Sequence, residues 1–291
     1  SEDTLRQGIE LFGSLDSANT HVYIFFDGTA AGTSWRGWSS GQSIYLKFQG
    51  EGWITETEAL LGVIDAFVSH EIFHLWNSWA ASPAEGVPPW LTEGFAEFYS
   101  LMTRNRSGRI DDAETVQALA RSASGCMNAL SRGQGLPPAS TPIDQSPYEC
   151  GLLIAWLAAD LDSRKGHSPT DAWNRVFQEQ QVGYQVSDWI AKADLEEELG
   201  WSDIDLDLLH LRVALENAGY LVEQDFSSTA YRSSVKTAIY TNVLRAACDG
   251  PPYGFYNNAG YVELDTGKRC GILNGNPKVV GVEGYNLESG D

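Results

Sequence analysis

The amino-acid sequence predicts an α+β fold: a small β-sheet, then a mostly helical subdomain, then a short β-rich C-terminal segment. Two short apolar runs, residues 21–26 and 43–48, read as strands. From residue 58 to residue 218, leucine, isoleucine, valine and aromatic residues recur at helical spacing, broken by loops that carry proline and glycine. From about residue 220 that period fades, and residues 253–291 are rich in glycine, valine and tyrosine. With 291 residues, 43% of them hydrophobic and 11% aromatic, the chain can bury a large core, which excludes global disorder. The expected organisation is one main domain over residues 1–220 and a β-rich segment over residues 221–291.

Residues 3–15 carry a helical pattern that opens on polar residues. The run at 21–26 is almost continuously apolar, so it is expected to be buried on both faces. The run at 43–48 alternates and is expected to form one edge of a cleft, its backbone free to pair with an extended peptide. Helices follow at 58–79 and 90–103, joined by the loop at 81–89, whose three prolines break the first and let the chain turn back. Further helices are expected at 111–123, 152–162, 169–180, 186–198 and 204–218, with a Gly/Pro/Ser-rich loop at 131–147 that ends in Pro147-Tyr148.

Within the helix at 58–79 lies Ser69-His70-Glu71-Ile72-Phe73-His74-Leu75. Residues four apart share one helix face, so His70 and His74 can present two imidazole nitrogens to one metal ion. Glu71 sits one residue round, where its carboxylate reaches the water that such a metal activates rather than the metal. Glu93 lies in the first turn of the next helix, in Trp90-Leu91-Thr92-Glu93-Gly94-Phe95-Ala96-Glu97-Phe98. A carboxylate from a second helix makes the third protein ligand and leaves a fourth position open, the layout of a catalytic zinc site rather than a closed structural one. One zinc ion is therefore expected. Glu97, one turn beyond Glu93, shares its face and can hydrogen-bond the far nitrogen of a ligand histidine. A solvated helix glutamate fits that position equally well.

These residues also carry a resemblance. His70-Glu71-Ile72-Phe73-His74-Leu75-Trp76-Asn77, followed by Trp90 to Tyr99, resembles the gluzincin metallopeptidases, and within them the glycyl aminopeptidase family, relatives of aminopeptidase N with an appended PDZ domain. The run His74-Leu75-Trp76-Asn77 favours that family over aminopeptidase N itself, where a glycine separates tryptophan from asparagine. Tyr148-Glu149-Cys150-Gly151-Leu152-Leu153 is similar to the segment that supplies the family's transition-state tyrosine, and residues 164–173 to the loop and helix after it. The likeness covers residues 5–190 and is specific around the zinc site. It implies a thermolysin-like catalytic domain over residues 1–220 and a zinc-dependent peptidase acting on peptide or protein substrates. His70, His74 and Glu93 would bind the zinc, Glu71 would serve as general base and then acid, and Tyr148 would donate a hydrogen bond to the developing oxyanion. Trp76 and Asn77 take packing or supporting roles. Residues 276–286 are similar to a strand and turn of PDZ domains, which implies a partial or degenerate PDZ-like module. The family's amino-terminal β-domain is expected to be absent, the chain being an excised fragment or a reduced relative.

One departure bears on function. Aminopeptidases of this kind hold the substrate's free amino group with a glutamate in a glycine-rich strand upstream of the zinc helix. The corresponding stretch, residues 31–45, contains no acid, so the aminopeptidase activity implied by the resemblance lacks its amine anchor. Arg36 lies in that stretch and would meet a carboxylate if it faced the cleft; an ordinary surface arginine is the simpler reading. Two alternatives stand beside the peptidase: a non-peptide amide hydrolase using the same site, and a non-catalytic or weakly active peptide-binding relative that retains the zinc.

The net charge of -20 argues against nucleic acid and anionic membrane surfaces as partners. No stretch approaches the ~20 apolar residues that span a bilayer. No signal peptide is visible, since Ser1-Glu2-Asp3 opens straight into a polar helix. The four cysteines fall into two close pairs, Cys126 with Cys150 and Cys248 with Cys270. Two local disulfides are the simplest of the three connectivities, and they imply a periplasmic or secreted protein. Buried free thiols are the alternative. The oligomeric state has no signature in the sequence.

Overall fold

The computed structural model describes residues 2–15, 20–29, 34–41, 43–53, 58–131, 146–179, 182–195 and 208–219, and in the C-terminal segment 239–240, 243–244, 246–249, 254–258, 261–266, 270–279, 281–282 and 285–286. The loop expected at 131–147, the tail of the helix expected at 186–198, the start of that at 204–218 and the boundary at residue 220 lie wholly or mainly outside the described residues. So does part of the PDZ-like stretch.

Helix α1 spans Glu2–Phe12 and leads into strands β1 (His21–Asp27), β2 (Ser34–Ser40) and β3 (Ser43–Gln49). The sheet order is β1-β3-β2, with β3 parallel to β1 and antiparallel to β2. Gly41, at φ 58°, supplies the left-handed turn residue of the β2–β3 hairpin. Two expectations are corrected here. The run at 43–48 is the central strand rather than an edge: Ile44, Leu46 and Phe48 are buried, and β2 is the strand that packs beside the histidine-bearing helix. The run at 21–26 is an outer strand rather than one buried on both faces, with Val22, Ile24 and Phe26 exposed. A continuous apolar run reports a preference for strand, but not which neighbour covers it.

Helix α2 (Glu58–His74) continues without a break into a π-helical turn, Leu75–Ala80, where the Ala81 amide donates to the Trp76 carbonyl five residues back at 2.8 Å. Helix α3 (Pro89–Arg106) starts on proline, whose fixed φ suits the first helical position. Helices α4 (Asp112–Ser131), α5 (Ser146–Arg164), α6 (Asp171–Glu179) and α7 (Val186–Lys192) complete the bundle, with a further helix at Leu208–Asn217. Strands β4 (Ser82–Pro83) and β5 (Val182–Tyr184) pair in parallel and clip the α2–α3 loop to the far end of the bundle. Helix α4 is capped reciprocally: the Glu114 amide donates to Asp111 Oδ1 at 2.8 Å and the Asp111 amide to Glu114 Oε2 at 2.9 Å.

The α3–α5 contact sets the geometry of the centre. Gly94 and Gly151 meet where the helices cross; a Cβ on Gly151 would lie 2.2 Å from the Trp90 carbonyl oxygen, and one on Gly94 would lie 2.2 Å from Gly151 Cα. Only two hydrogens separate the backbones there. Beside it, Cys126 of α4 and Cys150 of α5 form a disulfide, and Cys248 and Cys270 form a second. Helix α1 is tied down by Thr4, whose carbonyl accepts from Tyr99 Oη at 2.6 Å and whose hydroxyl meets Ser69 Oγ at 3.2 Å and Arg109 Nη2 at 2.8 Å. Arg109 and Arg104 both pair with Asp65 of α2.

One large apolar cluster runs from Ile44 to Ala218, and a separate small one joins Tyr240, Leu244, Val262, Leu264 and Cys270. The second lies on a three-stranded antiparallel sheet of Gly254–Asn258, Tyr261–Asp265 and Lys278–Val279.

Gly151→Ala must push α5 off α3, because the obstacle is backbone carbonyl rather than a side chain that can swing away. The expected cost is about 2 kcal/mol of unfolding free energy, read by urea denaturation. A change below the error of that measurement would show that the crossing tolerates a methyl group.

Candidate metal centre

The one-turn spacing of His70 and His74 on α2 turns both imidazoles toward the first turn of α3, where Glu93 stands. His70 Nε2 lies 3.1 Å from Glu93 Oε2 and 3.3 Å from His74 Nε2, and His74 Nε2 lies 3.5 Å from the same carboxylate oxygen. Both rings are buried. Their other nitrogens face polar side chains. His74 Nδ1 lies 2.9 Å from Asn77 Oδ1, and Asn77 Nδ2 donates to the Thr92 carbonyl at 2.9 Å, so the amide oxygen must be the acceptor and the Nδ1 proton the donor. His70 Nδ1 lies 3.1 Å from Glu97 Oε1, a carboxylate that draws the ring proton to that side, although the contact is not aligned along an N–H direction.

Three electron-rich atoms therefore point at one another in a buried space. That arrangement is repulsive unless a metal ion or a proton shares it; a proton on His70 Nε2 makes the contact with Glu93 a hydrogen bond. A tetrahedral ion with bonds of about 2.0–2.1 Å has ligand–ligand edges of about 3.4 Å, which the observed triangle matches. Among the described residues this is the cluster of three that could hold a metal ion, and its donors, two imidazoles and a carboxylate, suit zinc.

The surrounding groups answer to this charge. Burial disfavours the His70 imidazolium, but hydrogen bonds to Glu93 and Glu97 and their charge outweigh it and push the ring up to about 10. Burial raises Glu93 too, yet the two histidines hold its carboxyl well below the usual carboxylate range. Glu71 is 5% exposed, and burial raises it above the ordinary glutamate value, with His70 and His74 pulling partly back. Its Oε2 has no hydrogen-bond partner among the described residues.

Tyr148 reaches the centre from the first turn of α5, delivered by the glycine crossing. Its ring lies over His70, with centroids 6.0 Å apart at 28°. Burial, followed by the carboxylates of Glu93, Glu97 and Glu71, raises the phenol above its usual range, so it is neutral at physiological pH. The structure thus brings together all six residues singled out in the sequence: His70, Glu71, His74, Glu93, Glu97 and Tyr148. It does not bring Arg36 to them. Arg36 stands across from Lys47 on the outer face of the sheet, while its neighbour Gly37 takes the inner face against Glu71.

Sequence reasoning undervalued Asn77. The π-helical turn shifts the helix register after His74 so that Asn77, wholly buried, serves His74, Thr92 and, through its own carbonyl, the Tyr184 hydroxyl at 2.6 Å. A helix drawn straight through to residue 79 conceals that role.

Two outcomes follow. Asn77→Ala unpairs His74 Nδ1 and loosens α2 from α3, so metal binding should weaken roughly 10- to 100-fold in competition with a chelator; an unchanged affinity would deny Asn77 this role. In the metal-free protein His70 is protonated at neutral pH, and its raised value contributes stability below about 6.5 that is lost as pH rises through about 10. A metal must displace that proton, so calorimetry at pH 7 in buffers of different ionisation enthalpy should show release of about one proton per ion. Binding without proton release would contradict it.

The comparisons with known proteins fall on the same segment. Residues 64–157 match the family model of the M61 glycyl aminopeptidases. The solved structure of an aminopeptidase N family protein from Idiomarina loihiensis is similar to the chain, with a TM-score of 0.53 and 14% sequence identity over 91% of this chain and 51% of that one. At that identity the likeness is one of fold, and the chain spans about half the length of that relative. No curated protein matches the chain. The glycyl aminopeptidase resemblance read from the sequence thus holds over residues 64–157, where the chain is M61-like and carries every residue of the candidate centre.

Proposed function

We propose that the chain is a zinc-dependent peptidase with a thermolysin-like catalytic domain over residues 1–220. The observation that carries this reading is the convergence of three metal-donor atoms with a buried glutamate, whose Oε2 has no hydrogen-bond partner among the described residues, and a neutral, half-buried tyrosine beside them. His70, His74 and Glu93 would hold the ion, with Glu97 and Asn77 fixing the two rings from behind. Zinc, when bound, supplies Lewis acidity that polarises a scissile carbonyl and lowers the pKa of an attacking water toward neutrality.

The chain's own residues account for the proton traffic. Glu71 accepts a proton from the attacking water and returns it to the leaving amine; burial makes it a stronger base than an exposed glutamate. The Tyr148 phenol, held neutral, donates a hydrogen bond to the oxygen on which negative charge develops. The same carboxylates that keep it protonated make the cavity acidic, which suits a substrate that is neutral or cationic at the cleavage site. The substrate is a peptide or protein. Removal of single amino-terminal residues is the activity that the family likeness favours, but no acid stands among the described residues of β2 to anchor a free amine.

Two disulfides support an oxidising location, which we take to be the periplasm or the exterior of the cell. Among the described residues no helix is long and apolar enough to cross a membrane. The separate apolar cluster of the C-terminal sheet supports a second unit over residues 221–291, which we take as the partial PDZ-like module.

Cleavage of a mixed peptide library, with products read by mass spectrometry, tests the reading. The zinc-loaded protein should cut, a chelator should stop it, and Glu71→Gln should cost about 10²-fold or more. Loss of single N-terminal residues would make it an aminopeptidase, and internal cuts an endopeptidase. Absence of cleavage by folded, zinc-loaded protein would contradict the proposal and favour a peptide-binding relative.

A further inference from the structure

We propose that Gly37 of β2 is a positioning residue for Glu71, its bare Cα forming the wall that fixes the carboxylate. This deepens the peptidase reading and rests on it for its catalytic meaning. The register pairs Gly37 with Leu46, which is buried, so Gly37 lies on the inner face of the sheet toward α2. A Cβ built there would lie 2.2 Å from Glu71 Oε1, 2.4 Å from Cδ and 2.8 Å from Cγ. Three atoms of the side chain thus occupy the volume that any other residue would fill.

The glycine has no conformational reason to be there. Its φ lies outside the left-handed region, unlike that of Gly41 in the adjoining turn. A strand interior disfavours glycine, and one found there marks a close approach. The approaching group is Glu71, whose Oε2 is buried and accepts no hydrogen bond from the described residues. Hydrogen bonds to a carboxylate favour its charged form and weaken it as a base. A contact with Cα hydrogens restrains the group by shape and leaves its lone pairs for the proton it must carry.

Thermal unfolding of wild type, Gly37→Ala, Glu71→Ala and the double variant reads the contact without any assay of cleavage. Gly37→Ala should lower Tm by about 3 °C or more in the wild type. In the Glu71→Ala background it should leave Tm unchanged or raise it, because the methyl group fills vacated space. An equal loss in both backgrounds, or failure of both Gly37→Ala proteins to fold, would overturn the proposal, since the strand itself would then need the glycine. In peptide hydrolysis, Gly37→Ala should lower kcat about tenfold or more with KM and zinc content unchanged within about twofold. Adding the shorter Glu71→Asp to it should recover part of that loss. A raised KM with kcat intact would also overturn it, assigning the glycine to substrate binding. A wild type that cleaves nothing contradicts the peptidase reading instead, and the unfolding cycle still decides whether Gly37 restrains Glu71.

Discussion

Like charges and lone pairs do not gather in a protein interior without a cation to share, and the centre between α2 and α3 gathers three. His70 Nε2, His74 Nε2 and Glu93 Oε2 lie 3.1–3.5 Å apart, and the far side of each ring is occupied by Glu97 or Asn77. The His74 ring cannot turn to relieve the repulsion without unpairing its buried Nδ1 from Asn77, which costs about 1–3 kcal/mol. A proton on His70 relieves it in the metal-free protein, and a metal ion held by the same three atoms would relieve it in the proposed enzyme. The rest of the bundle is arranged to keep that point fixed.

Backbone proximity does much of the fixing. At Gly94 and Gly151 helices α3 and α5 touch through Cα atoms, which brings the Glu93 helix and the Tyr148 helix within one side chain of each other. The Cys126–Cys150 bridge ties the turn after Tyr148 to α4 and closes a loop across 24 residues of sequence separation, a constraint of about 3 kcal/mol on the unfolded chain. On the opposite wall β2 lies against Glu71 through Gly37. Helix α1 anchors the underside of α2 through Thr4 and Ser69, one residue from His70, and Arg109 joins Thr4 to Asp65. The proposed function needs such rigidity, because a general base and an oxyanion donor would lose their advantage when displaced by an ångström.

Much of this was legible in the sequence, for identifiable reasons. Helical periodicity located the helices, because their apolar faces are buried in the bundle. The His70-Glu71-x-x-His74 spacing and Glu93 at the start of the next helix identified the centre, since helix geometry alone determines which residues share a face. The sheet was read less well. Strand β1 is as apolar as a buried strand yet lies on the outside, and the glycine- and serine-bearing β2 carried no strand signal although it flanks the centre. Both depend on which neighbour packs where, and a local pattern does not encode that. The π-helical turn after His74 was hidden for the same reason: its hydrogen bonds serve Asn77, Thr92 and Tyr184, which are brought together by the tertiary structure.

Anomalous diffraction at the zinc edge, from crystals of the purified protein exposed to zinc, tests the central claim most directly. A single strong peak is predicted, about 2.0–2.2 Å from each of His70 Nε2, His74 Nε2 and a Glu93 carboxylate oxygen. A peak elsewhere, or none in crystals whose His70 and His74 rings keep their present orientation, would contradict the account that these three atoms converge to hold a metal.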